Sequence, residues 1–331
     1  MKIFATVPPS SASSGLDFAR HVSEVAQWSE HAGCEGVLIY TDNSLIDPWL
    51  VADTVVRSTS RLCPLVAVQP AYMHPYSVAK LVSSFGYLYG RRVYLNMVAG
   101  GFKNDLAALH DLTPHDQRYA RLIEYTTIIQ ELLRSPSPLT YQGEYYTVEK
   151  LAMTPPLKAE LFPGVLVSGS SEAGLAAARV LGATAIQYPQ PVNEIVPDPC
   201  HAESGIRLGI IARETDDEAW RVANDRFPED RRGQLTHQLA MKTSDSSWHR
   251  QLSDEAPEKS DSRSPYWLRP FQNYKTFCPY LVGSYDRVAE EVRKYLDRGY
   301  STLILDVPES KDDLEHIGEV LGRARKSVAQ A

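Results

Sequence analysis

Residues 36–69 read GVLIYTDNSLIDPWLVADTVVRSTSRLCPLVAVQ. The two ends of this stretch, residues 36–41 and 64–69, are short and almost continuously apolar, which is typical of strands buried on both faces of a parallel sheet. Between them, residues 47–59 have the length and the mixed polarity of an amphipathic helix. Strand, helix and strand in this order predict a βαβ unit, the repeating element of α/β folds.

The same alternation extends over the whole chain. Six further apolar runs resemble these two, and they lie at residues 2–7, 92–98, 164–169, 183–189, 207–212 and 301–307. Helix-length amphipathic stretches separate the runs, at residues 16–33, 75–89, 117–134, 171–181, 215–225, 285–299 and 310–328. Eight strand–helix pairs without a GxGxxG turn favour a (β/α)8 TIM barrel, one domain over residues 1–331, rather than an open doubly wound sheet.

Two segments interrupt the repeat. Residues 135–163 contain two β-like runs around Gln142 and Gly143, which predict a small hairpin inserted between the fourth helix and the fifth strand. Residues 226–280 are polar in their first half and aromatic in their second, and we expect a long lid loop there. A solvated insertion with a packed aromatic end is the alternative to a lid.

Composition narrows the classes of function. The chain has 331 residues, 43% of them hydrophobic, and its 34 basic and 41 acidic side chains give a net charge of −7. We expect no nucleic acid and no anionic membrane as partner, because both attract basic proteins. No apolar run reaches the roughly 18 residues of a spanning helix and no signal peptide is evident, so we expect a cytoplasmic protein.

Small polar residues dominate the predicted carboxyl ends of the strands, where a barrel enzyme places its active site. The candidate site residues at these strand ends are Tyr40, Thr41, Asp42, Asn96, Ala99, Gly100, Gly169, Ser170, Ser171, Tyr188, Arg207 and Asp306. We expect no metal site, since the four cysteines lack zinc spacing and HExxH is absent. GxSxG is missing as well, so the sequence shows no clear nucleophile elbow. A lining of this kind suits a cofactor that brings its own reactivity.

Two of these strand ends carry the sharpest signals. Residues 168–171 read Ser-Gly-Ser-Ser and precede an Ala-rich helix, so hydroxyls and free N–H groups converge at a positive helix end, which predicts a phosphate site. A plain helix cap explains the serines equally well. In residues 95–101, LNMVAGG, Asn96 faces the barrel mouth and small residues allow a flat ring to approach the backbone, with a tight turn as the alternative.

Together these motifs resemble the bacterial luciferase-like monooxygenases, most closely their alkanesulfonate monooxygenase branch. The similarity extends from residue 1 to about residue 328 and is poorer at 190–205 and 226–280. It is carried by GVLIYTDNSLIDPWLVAD, LNMVAGG, HDQRYARLIEYT, TYQGEYYTVEKL, SGSSEAG, RLGIIARETDDEAW and LVGSYDRVAEEVRKYLDRGYSTLIL.

The resemblance implies a (β/α)8 barrel that uses reduced flavin mononucleotide (FMN) delivered by a separate NAD(P)H:flavin reductase. O₂ would react with the flavin to give a peroxide adduct, which oxygenates a small organic substrate. The resemblance also implies a homodimer or homotetramer. By the same resemblance, the flavin phosphate is held by Gly169, Ser170 and Ser171, and its ribityl phosphate arm contacts Tyr119. The isoalloxazine lies beside Asn96, Ala99 and Gly100, with Thr41 nearby. Arg207 faces the substrate or the peroxide.

Most sulfonate-handling residues of that branch are missing. Pro8-Pro9-Ser10 stands where the branch has a histidine, Leu45 where it has a cysteine, Gly209 where it has a second histidine, and Val307 where it has a tyrosine. Arg269 or Lys275 offers a replacement for the cation of its flexible loop. We therefore expect the same cofactor chemistry on a different substrate.

The remaining candidates suggest an organic substrate with a polar or amine group. They are Arg207, Asp42 and Tyr40 as catalytic residues, and Tyr188, Tyr266, Trp267, Arg269 and Phe271 as substrate or lid residues. Asp42 and Asp306 have the alternative of being cap or loop carboxylates. A natural-product intermediate bound to a carrier protein is one hypothesis for the substrate.

Two other functions remain open from the sequence. A deazaflavin-dependent oxidoreductase would share the barrel and much of the site. A flavin-binding protein without catalysis is the third possibility, which the retained Arg207 and the long lid disfavour.

Overall fold

The computed structural model describes residues 1–12, 15–101, 103–194, 203–243 and 264–328. Its strands are β1 (Lys2–Thr6), β2 (Gly36–Ile39), β3 (Cys63–Val68), β4 (Tyr94–Val98), β5 (Leu139–Gln142), β6 (Thr147–Leu151), β7 (Val165–Ser168), β8 (Thr184–Gln187), β9 (Ser204–Arg213), β10 (Tyr266–Trp267), β11 (Tyr280–Ser284) and β12 (Tyr300–Leu305). Its helices are α1 (Gly15–His31), α2 (Pro48–Ser58), α3 (Pro75–Tyr89), α4 (Lys103–Ala108), α5 (His115–Arg134), α6 (Glu172–Leu181), α7 (Asp216–Arg226), α8 (Arg231–Thr243), α9 (Arg269–Gln272), α10 (Tyr285–Asp297) and α11 (Lys311–Val328).

Eight strands close a parallel barrel in the order β1, β2, β3, β4, β7, β8, β9 and β12. Closure occurs because β9 pairs with β8 on one side and with β12 on the other. These strands are the eight apolar runs of the sequence, and helices surround them. The predicted (β/α)8 barrel is confirmed.

The barrel strands are buried on both faces because they separate two apolar layers. Inward side chains fill the barrel interior, and they are Phe4, Leu38, Leu65, Tyr94, Leu166, Ile186 and Ile304. Outward side chains such as Ala5, Val37 and Val66 belong to the layer that packs against the helices. Double burial explains why these runs are continuously apolar and do not alternate.

Local sequence signals determine where helices begin after the carboxyl ends of the strands. The Asp47 carboxylate accepts a hydrogen bond from the backbone N–H of Trp49 at 2.8 Å, and Pro48 takes the first position of α2. Ser171 accepts from the backbone N–H of Gly174 at 3.2 Å and so starts α6. Both caps fix where a strand-end loop stops and a helix begins.

The structure confirms the first predicted insertion and revises the second. Strands β5 and β6 form the antiparallel hairpin expected within residues 135–163. In the 226–280 segment, helix α8 replaces the start of the expected loop, and residues 244–263 lie outside the described residues. In the aromatic half, β10 pairs antiparallel with β11, α9 follows β10, and residues 273–279 connect α9 to β11 without regular secondary structure. This packed aromatic end is compatible with the alternative to a lid, and the lid itself stays a prediction.

Strand β11 is an addition that the eight-run pattern did not contain. It pairs in parallel with the second half of β9, where Tyr280 lies opposite Gly209, whereas β12 pairs with the first half. Strand β9 can serve both partners because it is ten residues long. Among the helices of the described ranges, none has the length and apolarity needed to cross a lipid bilayer.

Candidate active site

A cavity of about 910 Å³ opens at the carboxyl ends of the barrel strands. Its volume lies within the range typical of small-molecule sites. Eleven of the predicted site residues line it: Tyr40, Thr41, Asp42, Asn96, Ala99, Gly100, Tyr119, Gly169, Ser170, Tyr188 and Arg207. Barrel closure therefore brings the strand-end residues of the sequence analysis together, and their roles stay predictions.

A buried arginine network forms one wall of the cavity. Arg207 is 6% exposed, and its guanidinium donates hydrogen bonds to the hydroxyls of Tyr40 and Tyr188, the latter at 3.3 Å. The guanidinium carbon lies 4.9 Å from the centre of the Tyr40 ring, which adds a cation–π contact. Burial raises the pKa of Tyr188 to about 12 and raises that of Tyr40 as well, so both hydroxyls stay protonated at neutral pH.

Asp306 supplies the counter-charge for Arg207. One carboxylate oxygen lies 3.5 Å from Arg207 Nη2, and the other accepts a hydrogen bond from the Tyr280 hydroxyl at 3.0 Å. Burial lowers the pKa of Arg207, but the polar groups around the guanidinium outweigh this and raise it above its usual value. The guanidinium is therefore permanently charged, and Asp306 serves as its partner and not as a loop cap.

The predicted phosphate site lies where β7 meets α6. Ser170 Oγ is buried and has no hydrogen-bond partner among the described residues. Ser171, by contrast, is absent from the cavity lining and caps α6, so the capping alternative applies to it. A Cβ atom added at Gly169 would lie 2.3 Å from the Tyr119 hydroxyl oxygen, so this position needs glycine for the tyrosine to reach the loop.

The β4 end offers a flat, small-residue wall. Asn96 is buried, and its Oδ1 accepts a hydrogen bond from the Ser168 hydroxyl at 2.7 Å, which orients the amide across the β4–β7 pair. Ala99 and Gly100 follow, and Gly100 has a positive φ of 99°. A Cβ atom there would lie 3.0 Å from Leu106 Cδ2. These constraints keep the wall free of bulky side chains.

Two carboxylates lie in another part of the lining. Asp42 Oδ1 accepts hydrogen bonds from the backbone N–H and the hydroxyl of Ser44, both at 2.7 Å, as in the loop-carboxylate alternative. Burial and the charge of Asp42 raise the pKa of Asp105. Burial, Asp42 and Asp105 raise the pKa of Tyr274, which also lines the cavity. Asp42 and Asp105 therefore place negative charge in this part of the cavity.

The predicted lid residues occupy a layer outside the cavity lining. The Tyr266 hydroxyl donates to the backbone carbonyl of Pro189 at 2.9 Å. Trp267 packs edge-on against Trp220 and Phe227. These two residues lie outside the lining because β10 pairs with the edge strand β11, and their predicted role as substrate or lid residues stays a prediction.

Helix α9 directs the other two predicted lid residues away from the cavity as well. Arg269 donates to Asn224 at 2.5 Å, and Phe271 is buried against His237 with ring centres 4.6 Å apart. The chain reaches the cavity just afterwards, through residues 274–277. Of the two replacement cations considered, Lys275 lines the cavity, paired with Asp230 at 2.9 Å, and Arg269 does not.

The described ranges contain no group of three His, Cys, Asp or Glu side chains placed to hold a metal ion.

Comparison with known proteins identifies the family. The sequence model of the luciferase-like monooxygenase family matches residues 1–302 of this chain. The chain belongs to this family. A luciferase-like relative, the 4-(γ-L-glutamylamino)butanoyl-[BtrI acyl-carrier protein] monooxygenase BtrO of Niallia circulans, is 35% identical over 313 residues, which cover 92% of this chain and 91% of BtrO. The predicted resemblance is confirmed, and the chain is a luciferase-like monooxygenase.

Solved structures share the luciferase-like barrel at low sequence identity. The long-chain alkane monooxygenase LadA has a TM-score of 0.74 at 17% identity, with 99% of this chain and 92% of LadA covered. The oxygenating constituent of 3,6-diketocamphane monooxygenase of Pseudomonas putida, solved in complex with FMN, has a TM-score of 0.66 at 16% identity, with 100% and 98% covered. Identities this low support the fold alone.

Sequence reasoning missed several residues that line the cavity of this luciferase-like monooxygenase. Tyr280 belongs to β11, which was outside the eight predicted runs, although its apolar continuation Leu281-Val282 was visible. Asp105 lies in α4, a six-residue helix too short to produce a clear periodic pattern. Tyr274 was hidden in the aromatic stretch that was interpreted as a lid.

Proposed function

We propose that this monooxygenase is the oxygenase component of a two-component system. It binds reduced FMN supplied by a separate NAD(P)H:flavin reductase and acts on an acyl group attached to an acyl-carrier protein. In the overall reaction, reduced FMN, O₂ and the C–H substrate yield FMN, the hydroxylated substrate and water. The relationship to BtrO, whose substrate is a carrier-bound aminoacyl group by name, carries this proposal.

The chain's own residues fit a flavin phosphate. Ser170 Oγ is a buried hydroxyl without a partner in the described part of the chain, at the start of a ten-residue helix. A buried donor left unsatisfied costs free energy, and a phosphate oxygen would satisfy it while gaining from the helix dipole. Tyr119, which closes over Gly169, completes this side of the site, with Ser171 holding the helix end in place.

The rest of the cavity fits the flavin ring and an oxygenation site. Asn96, Ala99, Gly100 and Thr41 form the wall along which the ring would lie. When bound, reduced FMN supplies the activation of O₂, and the protein supplies a shaped cavity with little water. Arg207 presents a fixed positive charge to the reacting region, where it stabilises negative charge on oxygen or orients the substrate.

The negative region around Asp42 and Asp105 supports a substrate with an amine. The departures from the sulfonate branch point in the same direction. The cavity keeps Arg207, whose charge is paired with Asp306, and adds the carboxylates of Asp42 and Asp105. An ammonium group would pair with these carboxylates, while the acyl chain extends toward Arg207.

The test uses the purified protein with synthetic aminoacyl groups on a phosphopantetheinylated carrier protein. Anaerobic titration should show saturable binding of reduced FMN, and addition of O₂ should then add one oxygen atom to the acyl group, detected by mass spectrometry. Equal turnover of the free acid would contradict the carrier-bound substrate. Binding of reduced deazaflavin in place of reduced FMN, with no O₂ consumed, would favour the deazaflavin-dependent oxidoreductase. Flavin binding without turnover of any substrate would favour the non-catalytic protein.

A further inference from the structure

Tyr280 lies against the arginine network of the cavity wall. Its hydroxyl donates to one oxygen of Asp306 at 3.0 Å, and the other oxygen of Asp306 faces Arg207 at 3.5 Å. All three side chains are buried, with Tyr280 only 3% exposed. The hydroxyl therefore restricts the rotation of the carboxylate that neutralises the guanidinium.

A missing side chain makes room for this tyrosine. Gly209 follows Arg207 by two residues on β9, so both positions point to the same face of the strand. Tyr280 lies directly opposite Gly209 in the β9–β11 pair. A Cβ atom at Gly209 would lie 2.3 Å from the Tyr280 Cζ atom and within 2.5 Å of two more ring atoms. Only glycine at position 209 allows the ring to fold over β9 and reach Asp306.

We propose that Tyr280 is a positioning residue: together with Gly209 it orients Asp306, and through Asp306 it fixes the Arg207 guanidinium in the cavity wall. The guanidinium already contacts two hydroxyls, those of Tyr40 and Tyr188. Hydroxyls rotate and accept from several directions, whereas the carboxylate supplies the charge that sets the orientation. Loss of the Tyr280 hydroxyl would free the carboxylate and, with it, the guanidinium.

The protein contains a matched control at the other end of the barrel. Tyr94 is also 3% exposed, and its hydroxyl donates to a carboxylate, that of Glu35, at 2.7 Å. It also lies over a glycine, since a Cβ atom at Gly164 would be 2.2 Å from the Tyr94 ring. Neither Tyr94 nor Glu35 lines the cavity. Tyr94→Phe therefore removes the same kind of hydrogen bond without touching Arg207.

The test compares Tyr280→Phe with Tyr94→Phe in the full-length protein. Phenylalanine keeps the ring over Gly209 and removes only the hydroxyl. Because one charge-assisted hydrogen bond is lost, we expect kcat/KM to fall about tenfold in Tyr280→Phe, mainly through kcat, and to stay unchanged in Tyr94→Phe. In the Asp306→Asn background, Tyr280→Phe should cause no further loss, because the tyrosine acts through that carboxylate.

A second measurement does not depend on turnover. In arginine side-chain NMR of the protein without cofactor, a fixed Arg207 should give separate Nη signals because rotation about its Nε–Cζ bond is hindered. Tyr280→Phe should merge them, and Tyr94→Phe should leave them separate. The turnover assay rests on the proposed function, whereas the NMR comparison does not, so the two can fail independently.

Two results would overturn the inference. Separate Arg207 signals in Tyr280→Phe would show that the hydroxyl does not hold the guanidinium. Additive losses from Tyr280→Phe and Asp306→Asn would show that Tyr280 acts directly on the substrate or only on stability.

Discussion

Replacing Gly169 by alanine tests the predicted phosphate site most directly. The added Cβ atom would lie 2.3 Å from the Tyr119 hydroxyl oxygen, about 1 Å inside ordinary contact distance, and 3.3 Å from Tyr119 Cζ. Tyr119 is 8% exposed, so its ring has little room to retreat. Overpacking of this kind costs about 2 kcal/mol, and we expect a Tm lower by several degrees.

Displacement of Tyr119 should also weaken binding of reduced FMN by about tenfold, which corresponds to a loss of about 1.4 kcal/mol in the free energy of binding. Binding is measured by anaerobic titration and stability by calorimetry. Gly318→Ala on α11 is the control, since a Cβ atom there meets nothing within 4 Å. It should keep both values or raise the Tm slightly.

The double variant makes the reasoning refutable. Tyr119→Phe removes the atom that the new Cβ would strike and leaves the 3.3 Å contact with the ring. Gly169→Ala combined with Tyr119→Phe should therefore be more stable than Gly169→Ala alone. Unchanged FMN binding in Gly169→Ala, or no recovery of Tm in the double variant, would show that this contact does not shape the site.

Three further predictions concern other parts of the structure. Ser170→Ala should weaken reduced FMN binding about tenfold but leave reduced riboflavin binding nearly unchanged, because only FMN carries the phosphate that this buried hydroxyl would contact; parallel titrations check this. Asp105→Asn should raise KM for amine-bearing substrates. It should also raise the Tm at pH 7, because the pKa of the Asp105 carboxyl is raised in the folded state above its unfolded value of 3.8, so the ionised carboxylate destabilises the fold. Near pH 3, below both the folded and the unfolded pKa, the carboxyl is protonated in both states and the gain in Tm should vanish. A gain in Tm independent of pH would contradict this prediction. Phe271→Ala should cost about 3–5 kcal/mol in the free energy of unfolding without changing Kd for reduced FMN, because the ring is fully buried and lies outside the cavity lining; denaturation and titration separate the two effects.

The part of the cavity lining where we propose that the flavin binds was largely predictable because its signals are local. Ser170 and Gly169 lie within four residues of a strand end and a helix start, and LNMVAGG places Asn96, Ala99 and Gly100 on one short segment. The choice between Ser170 and Ser171 was not predictable. The dihedral angles of the loop decide which serine caps α6 and which lines the cavity. Two adjacent serines before a helix look the same in sequence in either case.

The rest of the cavity lining was predicted less well because its residues come from segments far apart in the chain. We expected substrate or lid residues at Tyr266, Trp267, Arg269 and Phe271, but sheet pairing with β11 and the short helix α9 place them outside the cavity lining. Tyr274 and Tyr280 line the cavity instead. An aromatic composition predicts burial and cannot say on which side of a layer each ring lies. The predicted homodimer or homotetramer stays a prediction.

The barrel follows from the sequence alone, because continuous apolar runs separated by amphipathic helices have few packings other than strands covered on both faces. The sequence also shows which strand ends carry polar residues. Which of these polar residues contact each other follows from the tertiary structure. Arg207 contacts Tyr40, 167 positions earlier, and Asp306, 99 positions later, because barrel closure brings β2, β9 and β12 around one interior. Such contacts depend on strand order and register, and neither is a property of a local stretch of chain.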